Sequence, residues 1–450
     1  MKRVTTTILS LILVAGMAAG AAAQPPSAKE PPGRNGVSMG LGFNIHIMGT
    51  DQDWDAIKTA GAKFIRKDFV WSAIERSKGE YDFTAFDRML DSLDARGIRA
   101  LFILDYRNPL YGNPETTEEG REAYAKWAAA SAKHFKGRNI LWEIWNEPNV
   151  GFWKGTGGLN SAQFARDYVA LVKKTVPAMR AADPDCYILG GSVSCLWRGS
   201  FPWIEEAFKQ GLLTTGINAL SVHPYGFPYP ERGIDPRPLD APKDKESGYS
   251  TLREKLAKYN APKDFPVLNT EVGFPAKGKT TLEKQAMLFV RQYLVDQMCN
   301  VRMTIFYNWD ERDAADCKIR SNGPEPLPVY NALKNMTAEL AGYRFVERLK
   351  VGSDADYVIA FENGSKGRKI VAWTSAQPPK DAPDKPVAHD VSLPTGSTGG
   401  SVAVRDLYGK AVEAKVAAGT VTLNLTGGPL YMDLSGKPVA KPEATPAAKP

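Results

Sequence analysis

Between residues 38 and 343, short apolar segments alternate eight times with amphipathic segments, and this alternation constrains the fold more than any other feature of the chain. The apolar segments have the length and composition of β-strands, and the segments between them have the 3.6-residue periodicity of helices. Eight such units over about 300 residues have the count and size of a (β/α)8 barrel, which is the fold that we predict. A doubly wound open sheet is the alternative, but such a sheet rarely needs eight units. The predicted strands are 40–47, 64–71, 99–105, 140–146, 187–193, 219–224, 266–272 and 302–309.

The longest connections follow the predicted strands rather than precede them. They cover residues 106–119, 150–160, 194–202, 225–249 and 310–328. In a barrel, these loops line the C-terminal face, where active sites lie. The predicted helices are 83–96, 122–135, 162–180, 251–258, 282–298 and 329–340.

The N-terminus resembles a leader sequence. Lys2 and Arg3 precede an apolar run over 8–19, and alanines at 21–23 follow. We predict a secretory signal peptide over 1–23 and a linker over 24–37, with a secreted or periplasmic location for the mature protein. A membrane anchor is the alternative, but the run is short and no other segment approaches the roughly 20 apolar residues of a span. We therefore expect no stable anchor after cleavage.

The character of the sequence changes after the predicted barrel, which covers 38–342. Short strand-like runs separated by turn residues predict a small antiparallel β-sandwich over 343–435. We expect this domain to brace the barrel rather than to bind glycan. The tail 436–450, rich in Pro, Ala and Lys, has the composition of a disordered segment.

Charge and cysteine spacing exclude some classes of function. The net charge of +7 is spread along the chain, so nucleic-acid binding is not expected, whereas an anionic polysaccharide is compatible. Predicted strands separate Cys186 from Cys195 and Cys299 from Cys317, which puts both local pairs beyond disulfide reach. A Cys195–Cys317 bridge between loops is conceivable. No CxxC or HxxxH spacing occurs, so we expect neither metal nor cofactor, and we expect a monomer.

Two glutamates lie at the ends of predicted strands in distinctive local sequences. Glu147 follows strand 140–146 in the run Trp-Asn-Glu-Pro-Asn, and Glu271 lies in the run Asn-Thr-Glu-Val-Gly at the end of strand 266–272. Such a pair could cleave a glycosidic bond, with one carboxyl group as acid/base and the other as nucleophile. A retaining mechanism needs the two groups about 5–5.5 Å apart, which the ends of strands four and seven can supply. A single strand-end glutamate is more often solvated or ion-paired, so the prediction depends on both.

Other polar residues are expected near the same rim. Arg66 on the second strand either holds a site carboxylate ionised or forms a buried pair with Glu143 or Asp68, and it could do both. His46 and His223 end the first and sixth strands and are predicted to bind sugar hydroxyls, although a structural role is the common alternative.

Aromatic residues also gather at the predicted strand ends and in the loops that follow. Their rings can stack on the apolar face of a sugar, while core packing is the alternative. They are Trp71, Tyr106, Trp145, Trp153, Trp197, Tyr225, Tyr307 and Trp309.

Four segments together resemble the clan of retaining (β/α)8 glycoside hydrolases. They are IRKDFVWSAIE with Arg66, WEIWNEPN with Asn146 and Glu147, LSVHPYG with His223 and Tyr225, and PVLNTEVGF with Glu271. Within this clan the chain looks most like glycoside hydrolase family 39, in particular its bacterial branch that hydrolyses biofilm-matrix exopolysaccharide. The run GFNIH and the appended sandwich fit the same resemblance, which covers about residues 38–433. The family 5 cellulases share the two glutamate motifs.

The resemblance implies roles for individual residues. Glu147 would be the acid/base and Glu271 the nucleophile, held ionised by Tyr225 and Arg66. Asn146 would bind the sugar 2-hydroxyl. The remaining residues with implied roles are His223, in contact with Glu147 or the sugar, and Trp309, as the floor of the subsite that holds the sugar being cleaved. The position of the aromatic residues at the rim, rather than the resemblance, predicts further sugar contacts at Trp71, Trp153, Trp197 and Tyr307.

The implied activity is β-glycosidic hydrolysis of a polysaccharide or oligosaccharide. Long loops with several tryptophans favour a groove and internal cleavage, whereas the β-xylosidase members of family 39 imply a closed pocket and exo action as the alternative. A cellulase-like glycosidase and a non-catalytic carbohydrate-binding barrel are further alternatives. An aldolase or a metal-dependent hydrolase lacks a strand-end lysine or a cluster of metal ligands.

Overall fold

The computed structural model describes residues 36, 40–197, 199–227, 229–234, 247–278, 280–310, 316–321, 323–377, 387–394 and 402–434. The predicted signal peptide 1–23, the linker 24–37 except residue 36, and the tail 436–450 lie outside the described residues.

Eight parallel strands close into a barrel, which confirms the predicted fold. From β1 to β8 the strands are Leu41–Asn44, Phe64–Val70, Arg99–Asp105, Leu141–Ile144, Tyr187–Ser194, Ala219–His223, Val267–Val272 and Val301–Phe306. Each strand pairs with its neighbours in chain order, and β1 closes the barrel by pairing with both β2 and β8.

The strands are apolar because a parallel barrel buries both of its faces. One face fills the barrel interior with a separate cluster of side chains from seven strands, among them Leu101, Leu141, Leu189 and Leu268. The other face packs against the surrounding helices. This tight interior fixes the strand ends, so the residues at the C-terminal rim have defined positions.

Nine α-helices occur among the described residues, and several begin with side-chain caps. Thr50 forms a capping box with Asp53, and Thr117, Ser161 and Thr281 each accept a hydrogen bond from a backbone amide of the first turn. The helices α1 to α9 are Asp51–Thr59, Trp71–Ile74, Thr84–Asp94, Glu118–His134, Ala162–Ala182, Phe201–Lys209, Gly248–Lys258, Leu282–Met298 and Pro328–Glu339. In the part of the chain that the structure describes, no helix has both the length and the apolarity needed to cross a membrane.

Two antiparallel sheets follow the barrel, as predicted for the sandwich. Their strands β9 to β17 are Arg344–Leu349, Asp356–Asn363, Gly367–Thr374, His389–Pro394, Val404–Arg405, Ala411–Val412, Lys415–Ala417, Thr420–Leu425 and Leu430–Leu434. A six-stranded sheet has the order β9-β10-β11-β17-β13-β14, and a three-stranded sheet has the order β12-β16-β15. Apolar residues from both sheets, including Val358, Ile370, Val391 and Leu423, form the core between them.

The sandwich packs directly against the barrel. Tyr357, Trp373 and Tyr431 of the larger sheet belong to the same apolar cluster as the outer barrel core. Glu339 at the end of α9 forms ion pairs with Lys369 and Arg405 of the sandwich. The contact is therefore apolar at its centre and charged beside it.

No disulfide joins the four cysteines, all of which lie in described segments. The conceivable Cys195–Cys317 bridge is not formed.

Candidate active site

The chain turns sharply where β4 ends. Trp145 and Glu147 have φ angles of 67° and 46°, in the left-handed region that few non-glycine residues adopt. The amide of Glu147 donates to Oγ of Ser192 at 3.4 Å, which ties this turn to the neighbouring β5. Such conformations persist where the surroundings hold them, and they concentrate at functional sites.

The barrel brings Glu147 and Glu271 together at its C-terminal rim. One carboxylate oxygen of each glutamate and a ring nitrogen of His223 all lie within 4.8 Å of one another. This separation fits the distance of about 5–5.5 Å that a retaining mechanism requires, and it is shorter than the roughly 6.5–9.5 Å of inverting enzymes.

Three donors surround the carboxylate of Glu271. Oε2 accepts from Nη1 of Arg66 at 2.6 Å and from Nδ2 of Asn44 at 3.4 Å, while Oε1 accepts from the hydroxyl of Tyr225 at 3.1 Å. A positive charge and three hydrogen bonds favour the ionised carboxylate, as a nucleophile needs. Asn44 was not among the predicted site residues, although an amide ending β1 in the run GFNIH was a signal for it.

Arg66 links Glu271 and Asn146 to a carboxylate of the barrel interior. Its Nε donates to Oε2 of Glu143 at 2.7 Å, and its Nη2 donates to Oδ1 of Asn146 at 2.8 Å. Arg66 therefore has both predicted roles: it forms a buried ion pair with Glu143 and it holds a site carboxylate, that of Glu271. Because Arg66 is almost fully buried, it can act on a substrate only through Glu271 and Asn146.

His223 holds the other glutamate. Its Nδ1 lies 2.9 Å from Oε1 of Glu147, and its Nε2 lies 3.1 Å from Oγ1 of Thr270 and 3.2 Å from Oγ of Ser192. The residue has no exposed surface, so the prediction that His223 binds sugar hydroxyls directly is wrong. Its partner is Glu147.

Two opposing effects act on the pKa of Glu147. Burial raises it, but the hydrogen bond and the charge of His223, with a hydrogen bond from Ser194, outweigh burial and lower the pKa below that of an ordinary glutamate. Glu147 is therefore a carboxylate in the resting protein over most of the pH range, and its protonated form is favoured only in acid.

Three of the predicted sugar-contacting tryptophans belong to the core instead. Trp71 stacks on Trp127 and donates Nε1–H to Glu75 at 2.6 Å. Trp153 packs its ring against the edge of Trp145. These two residues and Trp309 are each at most 1% exposed.

Trp309 does not form the floor of the sugar subsite, because its ring stacks on Phe43 behind the rim and its Nε1 donates to Asp53 at 3.2 Å. Tyr307 takes the more exposed position beside the site. Its hydroxyl lies 3.2 Å from Nε2 of His46, at the junction of β1 and β8.

His46 sits among carboxyl groups on this side of the rim. A hydrogen bond to Asp68 is the main reason why the pKa of His46 is raised, and Asp310 adds to it. Burial, together with the negative charge of the neighbouring Asp68, raises the pKa of Asp105 well above its ordinary value. This side of the site can therefore both donate and accept hydrogen bonds, as sugar hydroxyls require.

Two pairs of aromatic rings, each with one exposed and one partly buried member, lie on the loops that follow β3 to β6. Trp197 is 38% exposed and contacts the ring of Phe227 with centroids 6.0 Å apart. Phe152 is 46% exposed and stacks on Tyr106 at the same distance. Of these, Trp197 was among the predicted site residues, while Phe152 and Phe227 were missed although both lie in long loops that follow strands.

The cluster of Glu147, His223 and Glu271 also presents three groups that could bind a divalent cation. The guanidinium of Arg66, however, lies 2.6 Å from Glu271 and opposes a second positive charge there. The arrangement thus fits acid–base and nucleophilic chemistry better than metal binding.

Comparison with known proteins gives a family and several relatives of the fold. The family model described as Cellulase (glycosyl hydrolase family 5) matches residues 28–312. No curated protein sequence matches the chain.

Several solved structures share the fold across the barrel and the sandwich. A family 39 glycoside hydrolase from the gut symbiont Bacteroides cellulosilyticus WH2 has 22% identity and a TM-score of 0.70, over 89% of this chain and 81% of that chain. A monomeric beta-xylosidase from Caulobacter crescentus CB15 has 15% identity and a TM-score of 0.61, over 87% and 95%. A family 30 subfamily 8 xylanase from Clostridium acetobutylicum has 15% identity and a TM-score of 0.58, over 87% and 95%. At these identities the likeness establishes the fold.

Proposed function

The chain belongs to the cellulase family, glycosyl hydrolase family 5, and is a glycoside hydrolase, and from this premise we propose that it cleaves β-glycosidic bonds inside a polysaccharide with retention of configuration. The membership confirms the predicted resemblance to the retaining (β/α)8 glycoside hydrolase clan. The observation that carries the proposal is the separation of at most 4.8 Å between oxygens of Glu147 and Glu271.

The two glutamates divide the reaction between them. The carboxylate of Glu271 attacks the anomeric carbon while Glu147 gives a proton to the departing oxygen, which leaves a covalent glycosyl–Glu271 ester. Water then gives a proton to Glu147, and its oxygen displaces Glu271 from the sugar. Arg66 and Tyr225 support this order of roles because they stabilise the charge on Glu271 before attack and after its release.

The two aromatic pairs support a polymeric substrate. Trp197 with Phe227 and Phe152 with Tyr106 provide surfaces for sugar units beyond the one being cleaved. The names of two fold relatives, a beta-xylosidase and a xylanase, make β-xylosides the first substrates to test, and the cellulase family adds β-glucosides. The predicted signal peptide favours a secreted or periplasmic enzyme, and a polymeric substrate outside the cytoplasm would be an exopolysaccharide, including that of biofilms.

The test of the mechanism is substitution of each glutamate. Glu271→Gln should lower turnover of a 2,4-dinitrophenyl β-glycoside by several orders of magnitude, because the nucleophile is lost. Glu147→Gln should slow substrates with poor leaving groups most and should accumulate the glycosyl–enzyme with good ones. A fluorosugar should label Glu271, as read by peptide mass spectrometry. Normal turnover in the Glu271→Gln variant would refute the proposal.

The test of the substrate is a screen against defined β-glucans and β-xylans, with product sizes read by mass spectrometry. Early release of mixed oligosaccharides supports internal cleavage. Release of single sugars alone would favour the exo-acting, β-xylosidase-like alternative.

A further inference from the structure

A buried carboxylate connects the sandwich to a loop of the active-site face. Glu231 lies in a 3₁₀ turn, Pro230–Gly233, within the long connection that follows β6. It accepts hydrogen bonds from Nε and Nη2 of Arg291 at 2.7 and 2.6 Å and from Nε1 of Trp373 at 2.7 Å. Arg291 belongs to α8 of the barrel, and Trp373 belongs to β11 of the sandwich.

All three side chains of this linkage are buried. A buried carboxylate is costly unless its lone pairs are satisfied, so the position of the turn depends on both partners. The bidentate contact with Arg291 fixes the plane of the carboxylate, and Trp373 supplies the remaining donor from the other domain. The indole of Trp373 is itself held by stacking on Tyr357, with ring centroids 5.1 Å apart.

The 3₁₀ turn supports an aromatic wall, which consists of the rings of Phe227 and Trp197. A Cβ atom built on Gly233 would lie only 3.5 Å from the ring of Phe227, so this ring rests directly on the turn. Phe227 then contacts Trp197 from the neighbouring loop. A continuous series of contacts thus runs from Trp373 through Glu231 and Gly233 to Phe227 and the exposed ring of Trp197.

We infer that Trp373 and Glu231 are positioning residues through which the C-terminal sandwich sets the Trp197–Phe227 wall for sugar units beyond the cleaved bond. The inference rests on the proposed cleavage of a polymer and gives the sandwich a part in substrate binding without a glycan site of its own. Neither residue touches the reacting atoms. Their effect is therefore on long substrates rather than on the chemical step.

The experiment compares Trp373→Phe with Trp127→Phe. Phenylalanine at 373 keeps an aromatic ring and removes the donor to Glu231. Trp127 is an equally buried tryptophan in α4 whose Nε1 has no hydrogen-bond partner among the described residues, so its variant controls for the loss of an indole. The substrates are xylo- and cello-oligosaccharides of two to six units and the 2,4-dinitrophenyl β-glycosides of the same sugars.

In Trp373→Phe, KM for the longest cleaved oligosaccharide should rise about tenfold, the low end of the effect of losing one hydrogen bond to a charged group, while kcat on the aryl glycoside stays unchanged. Hydrogen exchange of the peptide that contains residues 225–234 should become faster, and the control should show neither change. The exchange result does not depend on turnover, so it distinguishes failure of the linkage from failure of the polymer proposal.

Unchanged exchange in residues 225–234, or an equal loss on long and short substrates, would overturn the inference. If Trp373→Phe does not fold, Glu231→Gln tests the same linkage from the loop, because it removes the charge that Arg291 and Trp373 share. The same two readouts apply to it, with the same expected and contrary results.

Discussion

The imidazole Nδ1 of His223 lies 2.9 Å from Oε1 of Glu147, in a position that solvent does not reach. This contact sets the state of the acid/base in the proposed mechanism. Burial alone would raise the pKa of Glu147, and the neighbouring imidazole reverses that direction. Catalysis that needs protonated Glu147 must therefore decline as pH rises through a pKa lower than that of an ordinary glutamate.

We predict that His223→Gln moves the alkaline limb of the kcat/KM profile to higher pH. The substitution removes the positive charge that lowers the pKa of Glu147, so the protonated acid persists further into the neutral range. The measurement is kcat/KM from pH 3 to pH 9 on an oligosaccharide or another substrate with a poor leaving group. A limb that stays in place, or moves to lower pH, would show that His223 does not control this proton.

The matched control for that profile is a 2,4-dinitrophenyl β-glycoside. Its leaving group departs without a proton, so the glycosylation step should lack the limb in both the wild-type protein and the variant.

Glu143 and Glu271 share Arg66 but should respond differently to the same substitution. Glu143→Gln breaks a buried ion pair inside the barrel and should cost about 3 kcal/mol of unfolding free energy, while measurable hydrolysis remains. Glu271→Gln should abolish hydrolysis with a smaller loss of stability, because its side chain is partly exposed. Urea unfolding and aryl-glycoside turnover measured on both variants separate the two roles. If Glu143→Gln abolishes hydrolysis and Glu271→Gln does not, the nucleophile has been assigned to the wrong carboxylate.

Tyr307 and Trp309 provide a second contrasting pair. Tyr307→Ala should lower kcat/KM by about tenfold, because an aromatic surface at the site is lost. Trp309→Phe should instead cost about 1–3 kcal/mol of stability through the lost hydrogen bond to Asp53 and leave KM unchanged. Thermal or urea unfolding together with steady-state kinetics decides between these outcomes. A raised KM in Trp309→Phe would show that Trp309 contacts the sugar after all.

The exposed aromatic rings predict a dependence on substrate length. Phe152→Ala and Trp197→Ala should each raise KM for long oligosaccharides by about tenfold, because each removes a stacking surface. Aryl monoglycosides should be cleaved as in the wild-type protein, since they do not reach these rings. If both variants affect short and long substrates alike, the rings belong to a pocket around the cleaved sugar rather than to a groove.

The elements with the clearest patterns were predicted to the residue. Strand Arg99–Asp105 and helix Leu282–Met298 have the predicted bounds, because an unbroken apolar run and a long amphipathic repeat each leave little choice. The nine-residue helices Asp51–Thr59 and Phe201–Lys209 were not predicted. A helix of two and a half turns is too short for its apolar periodicity to be recognised, and Pro202 near the start of Phe201–Lys209 suggested a loop.

In the site, too, the features that regular structure determines were predicted, and the features that depend on irregular segments were not. The meeting of Glu147 and Glu271 follows from the barrel, since parallel strands end at one rim. The direction of a side chain beyond a strand end does not follow from alternation, because the chain has left the regular strand. This is why Trp71, Trp153 and Trp309 were expected at the rim and lie in the core, while the exposed Phe152 was missed.

A last prediction concerns stability and Asp296, a buried residue of α8. Its carboxyl group accepts hydrogen bonds from Asn269, Thr304, Tyr249 and Gln292. Burial nevertheless outweighs these bonds and raises the pKa of Asp296 to about 6. An aspartate in the unfolded chain has a pKa of about 3.9. Between these two values the folded state binds more protons than the unfolded state, so the contribution of Asp296 to stability falls as pH rises.

The shift of about two pKa units corresponds to about 3 kcal/mol, fully lost above pH 7. Asp296→Asn cannot titrate, and its amide nitrogen would face hydrogen-bond donors, so the variant should be less stable than the wild-type protein at every pH. The difference in unfolding free energy between the two proteins should narrow by about 2 kcal/mol from pH 4 to pH 7. Urea unfolding at unit pH steps measures this difference. A gap that is constant with pH would mean that Asp296 has the same pKa in the folded protein as in the unfolded chain.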